Sequence, residues 1–469
     1  MISQPRRQVI ELSDYGEVRL GHDFFAPKMD PRSAPGQTAR LGERFLQLNR
    51  RELSALSVDG RVEYDGKDAS LRLQASDVVG GTALRSPSSG LHDLGLVVRP
   101  RFAWSGLGPT LLHTGWKVAP TIAQGPALPR SDRETPVWVL SSIVLLRLRD
   151  LLRDMNRTFA TKERVLQAPK GTVTWTKYLS QHAARGKFTE VPCRFPSLQS
   201  DEDLRAIIHH VVLQQRAALE SAGKHQPVVQ ALLQVAEDLT RAVSTTSPRP
   251  PHRGELDKWK SSRRVSSTEP GIEAIEWTLE ERGLAGLADL QGLPWRLPMN
   301  EFFEAWVERI AEELVVHVGG ALRRGRLRET VASFEWSPPF TGSQRYLLPD
   351  LVIDAHDQTI VIDAKYKHHW SEFGTARWWE TDEAIRESHR ADLLQVLAYA
   401  SLFGDERITC VLVYPCHPAT WDRLVETDRQ THRAELRGGS RSINVLLTAV
   451  PFGRRPNHIV PSLVQALPT

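Results

Sequence analysis

Asp350, Asp363 and Lys365 are the residues whose types and spacing point to a reaction. They lie in Leu347-Leu348-Pro349-Asp350-Leu351-Val352-Ile353-Asp354 and Thr359-Ile360-Val361-Ile362-Asp363-Ala364-Lys365-Tyr366-Lys367, two strand-length apolar runs joined by Ala-His-Asp-Gln. Side chains alternate faces along a strand, so Asp363 and Lys365 project together while Ile362, Ala364 and Tyr366 enter the opposite layer. Asp350, starting the preceding antiparallel strand, is placed to lie across from Asp363 and to give one cation a second carboxylate. That donor set suits Mg²⁺, a hard ion that takes one or two carboxylates and keeps several waters, with Mn²⁺ as a substitute. Phosphodiester hydrolysis needs an in-line hydroxide-like nucleophile, neutralised phosphoryl charge and a stabilised leaving group. A cation on the two acids, with Lys365 orienting water and countering charge, meets those needs. Isolated Asp-x-Lys triplets are mostly solvated surface charges. Here the triplet ends an apolar run, and an acid at the end of a buried strand requires a partner such as a metal.

Two helical segments add polar groups. Met299 to Leu322 is amphipathic, with Phe302, Phe303, Trp306, Ile310 and Leu314 on its apolar side, and it carries Glu301 and Glu304 on adjoining faces. Either acid is a candidate third ligand, and Glu304, set among Phe303, Trp306 and Val307, is the harder of the two to keep solvated. In Asp392-Leu393-Leu394-Gln395-Val396-Leu397-Ala398-Tyr399, Gln395 and Tyr399 stand one helical turn apart, a pair suited to holding either a phosphate or the lysine.

The elements that would position these groups follow from periodicity. Leu351–Asp354, Thr359–Tyr366 and Thr409–Tyr414 read as strands, and Ala384–Phe403 reads as a helix between the second and third. Near the N-terminus, Val9–Leu12 and Glu17–Leu20 flank Ser-Asp-Tyr-Gly and predict a hairpin. Arg61–Tyr64, Ala69–Leu73 and Leu94–Arg99, separated by Asp-Gly, Gly-Gly (Gly80-Gly81) and Ser-Pro punctuation, predict further strands. Val137–Phe159, Asp201–Ala222, Gln226–Val243 and Gly271–Arg282 read as helices. The tract from Ser244 to Pro270, rich in Ser, Pro and Arg, reads as a linker or loop. The expected division is a β-rich adaptor or partner-docking domain over 1–130, a helical middle region over 131–243, the linker over 244–270 and the catalytic domain over 271–469.

Glu304, Pro349-Asp350, Asp363-Ala364-Lys365-Tyr366-Lys367 and Asp-x-x-Gln-x-x-x-Tyr, in this order, resemble the McrC family of modification-dependent McrBC restriction systems. Phe302-Phe303-Glu304, the strand Cys410–Cys416 and the segments Gly171–Trp175, Val191–Phe195 and Asp201–Val211 are similar to elements of that family. The resemblance extends from Pro169 to Pro415, and more faintly to Leu96–Arg101. It implies an α/β fold whose C-terminal core is of the PD-(D/E)xK restriction-endonuclease type, a mixed sheet flanked by helices. It also implies a metal held by Asp350, Asp363, Glu304 and the backbone carbonyl of Ala364, and a site completed by Lys365, Gln395 and Tyr399. The implied partners are DNA and a GTP-hydrolysing AAA+ ring of the McrB type. The Ser/Pro/Arg tract and Trp370–Trp379 have no counterpart in it.

Bulk properties agree with this reading. With 469 residues, 41% hydrophobic and 25% charged, the chain has the composition of a globular protein of two or three domains. The apolar run Val137–Leu146 falls well short of the roughly 20 residues that span a bilayer. The N-terminus lacks the apolar stretch of a signal peptide, so cytoplasmic residence is expected. Three cysteines without paired spacing read as buried thiols. No G-x-x-x-x-G-K-[ST] occurs, and Gly60 to Lys67 misses it by one residue and lacks the hydroxyl, so the chain is not expected to be its own motor. Two readings are open for Arg323, Arg324, Arg326 and Arg328 and for Arg263 and Arg264: contacts to a DNA backbone, or charges solvating a helix end and a loop. Trp370, Trp378 and Trp379, with His368 and His369, likewise suit base stacking, core packing or a partner surface. The expected function is a Mg²⁺-dependent DNA endonuclease subunit of a bacterial defence system, activated by an AAA+ NTPase. The alternatives are a stand-alone nuclease for single-stranded or branched DNA, and a catalytically idle scaffold.

Overall fold

The computed structural model describes residues 8–25, 34–65, 68–123, 136–155, 158–199, 201–223, 225–252, 254–260, 268–280, 292–367, 383–438 and 441–468. Two compact units are present, one made of Met1–Pro136 with Leu284–Thr469 and the other of Val137–Gly283. Strands are numbered β1 to β19 along the chain.

In the first unit, β1 (Gln8–Ser13), β5 (Val78–Leu84), β6 (Leu94–Arg99), β7 (Thr121–Ile122) and β11 (Trp295–Pro298) form a five-stranded sheet in the order β1-β6-β5-β11-β7. A three-stranded sheet, β2-β4-β3, is built from β2 (Glu17–Leu20), β3 (Val58–Asp65) and β4 (Asp68–Ala75). Phe45, Leu56, Leu71, Leu73, Leu84 and Leu96 share one core with them. The expected hairpin at Ser13–Gly16 is not formed, because β1 pairs in parallel with β6 and β2 pairs with β4. Tyr15, with φ of 58°, turns the chain from one sheet into the other. This region is also less purely β than expected. The segment Ala34–Ala55 is a 22-residue helix, and Gly80-Gly81, read as punctuation, lies inside β5.

The first unit also contains a six-stranded mixed sheet, β12-β15-β16-β17-β19-β18. It comprises β12 (Ala321–Arg324), β15 (Leu351–Asp354), β16 (Thr359–Ala364), β17 (Arg407–Cys416), β18 (Thr431–Gly438) and β19 (Arg441–Pro451). The strands β16, β17 and β19 run parallel, whereas β15 is antiparallel to β12 and β16. A parallel strand in the middle of a sheet is covered on both faces, and β17 is accordingly buried from Ile408 to Cys416. One face, with Ile362, Val411, Val413 and Leu446, meets Val307, Ile310 and Leu314 of the helix Met299–Val318 and Leu463 of the helix Pro456–Ala466. Cys410, of opposite parity to Val411, points its Sγ toward the Val396 carbonyl of the helix Glu383–Ala400. Helices therefore cover both faces of this sheet. The helix expected to run to Leu322 stops at Val318 because Gly319 and Gly320 take φ of 76° and 95°, and a Cβ on Gly320 would stand 2.0 Å from the Asp354 carbonyl oxygen. The chain then pairs as β12 against β15, and a short two-stranded ribbon, β13 (Ala332–Ser333) with β14 (Tyr346–Leu347), precedes β15.

The second unit holds the helices Val137–Asp154, Glu202–Ser221, Pro227–Val243 and Glu269–Leu279. It is not only helical: β8 (Thr158–Leu166), β9 (Thr172–Val173) and β10 (Val191–Gln199) form a sheet in the order β8-β10-β9. The expected domain limits also shift. The strand β11, just ahead of the Glu304 helix, is inserted between β5 and β7 of the N-terminal sheet, so the N- and C-terminal regions share a sheet and cannot be separate domains. The described part of the Ser/Pro/Arg tract lies within the second unit. There Arg249 is ion-paired with Asp203 and Glu255, and Trp259 donates to Asp201. Arg263, Arg264 and the stretch Trp370–Trp379 lie outside the described residues. No helix among the described residues is long and apolar enough to cross a membrane.

The Glu304 helix is seated by Trp306, which is fully buried and donates from Nε1 to the Pro451 carbonyl at 3.1 Å. Trp306→Ala would remove that bond and leave a cavity, at a cost of about 3–5 kcal/mol. Urea denaturation followed by far-UV circular dichroism should show the corresponding fall in midpoint for the transition of the first unit.

Candidate active site

The register of β15 against β16 sets Leu351 opposite Ile362, so one step further along the pair Asp350 faces Asp363. Asp350 Oδ2 accepts a hydrogen bond of 2.8 Å from the Ala364 N–H, which ties the start of β15 to the end of β16. Asp363 is 1% exposed. Lys365 Nζ lies 2.7 Å from Asp363 Oδ2, so this buried oxygen is held in an ion pair with the lysine. Beyond the strand proper, the Lys365 N–H donates to the Val413 carbonyl at 2.8 Å and prolongs the ladder to β17, which fixes the lysine backbone. Its ammonium donates to Gln395 Oε1 at 2.9 Å, and Gln395 Nε2 donates to the Tyr399 hydroxyl at 2.7 Å. Of the two roles open to the Gln395–Tyr399 pair, the structure shows the grip on the lysine.

Glu304 projects from the first turns of its helix and is exposed, and it makes no hydrogen bond or ion pair among the described residues. Its neighbours Phe302 and Phe303 are buried, with Phe302 stacked on Phe452 at 5.6 Å and Phe303 6.0 Å from Tyr366, and this holds the helix start beside the end of β16. Glu301 is exposed as well, and its N–H takes the Asn300 side chain.

These charges perturb one another. Burial first, then the charges of Asp363 and Glu304, push the Asp350 carboxyl well above the usual carboxylate range, and the Ala364 N–H and Lys365 offset only part of this. Burial likewise raises Asp363 against the pull of Lys365. Glu304 is raised by crowding from surrounding protein and by the nearby Glu301 and Asp363. For Lys365, burial works against the charged form, but Asp363 outweighs it and the ammonium is held more tightly protonated. The charge of Glu304 is thus among the causes that raise Asp350.

The structure therefore gathers Asp350, Asp363, Lys365, Gln395 and Tyr399, with Ala364 between them and Glu304 at their margin. Among the described residues no three Asp, Glu, His or Cys side chains stand close enough to hold an ion by themselves. Mg²⁺ asks for less, since one or two carboxylates with waters satisfy it. Facing Asp350 and Asp363, two carboxyls both raised by burial, with Lys365 the cation among the causes that offset both, fit that demand. The arginines after the Glu304 helix are mostly engaged: Arg323 pairs with Asp354 at 2.7 Å, and Arg324 and Arg326 pair with the buried Glu308 at 2.8 and 2.9 Å. These three are held in ion pairs with acids of the helix and of β15 and do not simply solvate a helix end, and Arg328 alone of the four has no acid partner among the described residues. Cys193, Cys410 and Cys416 are buried thiols, as expected.

Sequence reasoning assigned no role to two groups beside the site. Lys367 Nζ pairs with Asp392 at 2.7 Å, and Asp392 accepts from the Tyr414 hydroxyl at 3.2 Å, beside His389. A signal for this network was present, because Lys367 lies two residues beyond Lys365 and Asp392 opens the Gln395–Tyr399 motif. The second group comes from the N-terminal region. Tyr366 donates its hydroxyl to the fully buried Asp14 at 2.5 Å, and Asp14 also accepts from the Arg101 N–H at 2.6 Å. The Arg101 guanidinium, 3.5 Å from Asp14, lies 4.4 Å from the centre of the Tyr366 ring and 4.9 Å from that of Tyr15. No sequence signal marks that pairing.

Fold and site together describe an α/β protein with two acids and a lysine at the end of a mixed sheet. Residues 123–415 match the family described as McrBC 5-methylcytosine restriction system component. The chain belongs to that family, as the resemblance read from its motifs implied. Among curated proteins none matches. A solved structure described as a refined half-complex from a tetradecameric assembly of Thermococcus gammatolerans McrB AAA+ hexamers with bound McrC is 14% identical and covers 98% of this chain and 100% of its own, at a TM-score of 0.40. The Thermococcus gammatolerans McrBC complex solved by cryo-EM is 14% identical, with coverage of 83% and 100% and a TM-score of 0.27. Family membership rests on the sequence match.

The raised Asp350 carboxyl has a consequence for stability. A carboxyl whose folded-state value exceeds its unfolded one stabilises the native state below the unfolded value, near pH 4, and loses that contribution as pH rises through the folded value. In metal-free buffer Asp350→Asn should therefore melt higher than the wild type at neutral pH, with the gap closing towards about pH 4. Thermal melts across pH check this, and a variant less stable than wild type at pH 7 would contradict the repulsion described.

Proposed function

We propose that this chain is the DNA-cutting subunit of a restriction system, hydrolysing phosphodiester bonds with Mg²⁺ in a PD-(D/E)xK-type core. The observation that carries the reading is the pair Asp350–Asp363, facing across two strands with Asp363 buried, beside a lysine ion-paired with Asp363 and gripped by Gln395. Asp350 and Asp363 would hold the ion, with Glu304 and the Ala364 carbonyl as further donors, and Mn²⁺ would substitute. When bound, the ion supplies charge neutralisation at the phosphate and favours ionisation of the attacking water.

The remaining chemistry belongs to the chain's own groups. Lys365, kept protonated by Asp363, presents positive charge where negative charge grows on the phosphoryl oxygens. Gln395 and Tyr399 are positioning residues, since their chain of hydrogen bonds restricts the ammonium to one direction. Glu304, whose carboxyl is raised by its surroundings and by neighbouring acids, would be drawn to its ionised form by a bound cation.

An AAA+ NTPase of the McrB type is proposed as partner. Membership in the McrBC family supports it, as does the lack of a G-x-x-x-x-G-K-[ST] signature in this sequence.

Purified chain mixed with its AAA+ partner and nucleotide should cleave DNA in Mg²⁺ and not in EDTA. Asp363→Ala should lower the rate by on the order of 10³, several kcal/mol of lost transition-state stabilisation. Gln395→Ala should lower it by roughly 10–100-fold, the usual cost of losing a group that orients another. Undiminished cleavage by Asp363→Ala overturns the site. Cleavage by the chain alone, indifferent to GTP and ATP, would make it a stand-alone nuclease. No cleavage combined with no Mg²⁺ or Mn²⁺ binding by calorimetry would make it a scaffold.

A further inference from the structure

Between β12 and β15 the chain leaves the sheet and returns, and this excursion is rooted on the candidate catalytic aspartate. The Thr330 hydroxyl donates to the Pro349 carbonyl at 2.6 Å, closing the base, and the Gly325 N–H donates to the Asp350 carbonyl at 2.7 Å. A Cβ on Gly325 would stand 2.4 Å from the Pro349 oxygen, so the strand can approach this closely only with glycine. Above this base β13 and β14 pair, and the Phe334 N–H donates to the Arg345 carbonyl at 2.8 Å.

The tip of this ribbon exposes aromatic rings that a folded chain ordinarily covers. Phe334, Trp336, Phe340 and Tyr346 are 45%, 44%, 56% and 40% exposed. They form a chain of neighbours, with Phe334 to Trp336 at 6.2 Å and Trp336 to Phe340 at 6.1 Å between ring centres. Trp336 spends its one polar atom inside the ribbon, donating from Nε1 to the Gln344 carbonyl at 3.1 Å, which leaves its ring without further hydrogen-bonding demand. Two cations flank the rings. Arg328 lies over Tyr346 at 5.4 Å, Arg345 is exposed, and neither has a carboxylate partner among the described residues. The contrast with Arg323, Arg324 and Arg326, all neutralised by acids, is what gives these two their significance.

We propose that this ribbon is a DNA-binding element whose rings stack on unpaired bases next to the phosphate presented to Asp350 and Asp363, while Arg328 and Arg345 contact the backbone. The proposal rests on the nuclease reading above for the identity of the neighbouring site. Aromatic faces accept any base, and flanking cations track phosphates, which is the composition of a single-strand platform. A rigid base tied to Asp350 converts stacking at the tip into placement of the strand at the acids. The substrate that fits is DNA with unstacked bases beside the cleaved bond, such as a distorted or opened duplex.

The test reads binding without cleavage. Full-length wild type and the double variant Trp336→Ala/Phe340→Ala are titrated in EDTA against a fluorescent single-stranded oligonucleotide and the matching duplex, with anisotropy as readout. Wild type should prefer the single strand, and the double variant should bind it about tenfold to a hundredfold more weakly, one to two lost stacks. Trp336→Phe should retain most of the affinity, because a ring remains. Unchanged affinity in the double variant overturns the proposal, and so does unchanged affinity accompanied by a loss of self-association in light scattering or of binding to the AAA+ partner, which would make the ribbon a protein interface. If the double variant does not fold, wild type decides: photocrosslinking to iodouridine-substituted DNA should place adducts between Phe334 and Tyr346, and adducts found only elsewhere overturn the idea. Failure of the nuclease reading would appear separately, as absence of Mg²⁺-dependent cleavage while the binding difference persists.

Discussion

Two carboxylates that repel one another, enclosed by protein and held face to face by strand register, set the terms for the rest of the first unit. Asp350 and Asp363 cannot drift apart, because the Ala364 N–H fixes one and the β16–β17 ladder carries the other. Burial strengthens their repulsion, since charges in a medium of low polarisability feel each other more. Among the described residues Lys365 is the cation paired with Asp363, at 2.7 Å. A site so arranged stores an electrostatic demand of the kind that the divalent ion proposed above would meet.

The surroundings limit where the compensating charge can sit. Gln395 and Tyr399 restrict Lys365, and Lys367 is drawn off to Asp392, so the two lysines of one strand end serve different acids. On the other side of the sheet, Glu308 neutralises arginines that would otherwise add to the positive field. The Glu304 helix reaches the site because Phe302, Phe303 and Trp306 anchor it against Phe452 and the end of β19. Apolar contacts thus decide the position of a charged residue, with little electrostatic contribution of its own.

Much of the candidate site was legible because it is local. Leu351–Asp354 and Thr359–Ala364 are strands of plain apolar pattern, and a register that brings Asp350 to Asp363 follows from a four-residue connection. Gln395 and Tyr399 were found by helical spacing alone. What was missed depends on partners far along the chain. Nothing near Ser13–Gly16 shows that β1 will choose β6 over β2, and nothing near Trp295 shows that β11 will enter the N-terminal sheet. Gly80-Gly81 looked like a turn because glycine there serves close approach to β11, a reason visible only once both strands are in place. The helix Ala34–Ala55 was overlooked in a region judged by its short strands. The Ser/Pro/Arg tract was taken for a linker on composition, whereas Arg249 and Trp259 bind it to the helix beginning at Glu202.

Tyr366, immediately after the lysine, is hydrogen-bonded to a residue 352 positions earlier, in a buried contact that also encloses Arg101. A tyrosine ring that serves the candidate site on one side and the N-terminal sheet on the other makes the region around that site a poor candidate for transplantation. Cut out as a free-standing cassette, the residues after Leu284 would carry the acids and the lysine but leave the Tyr366 hydroxyl unsatisfied and β11 without its sheet. Variation in such a chain is thereby constrained in pairs: a change at Asp14 or Arg101 is felt next door to Lys365, and the two ends of the sequence are bound to change together.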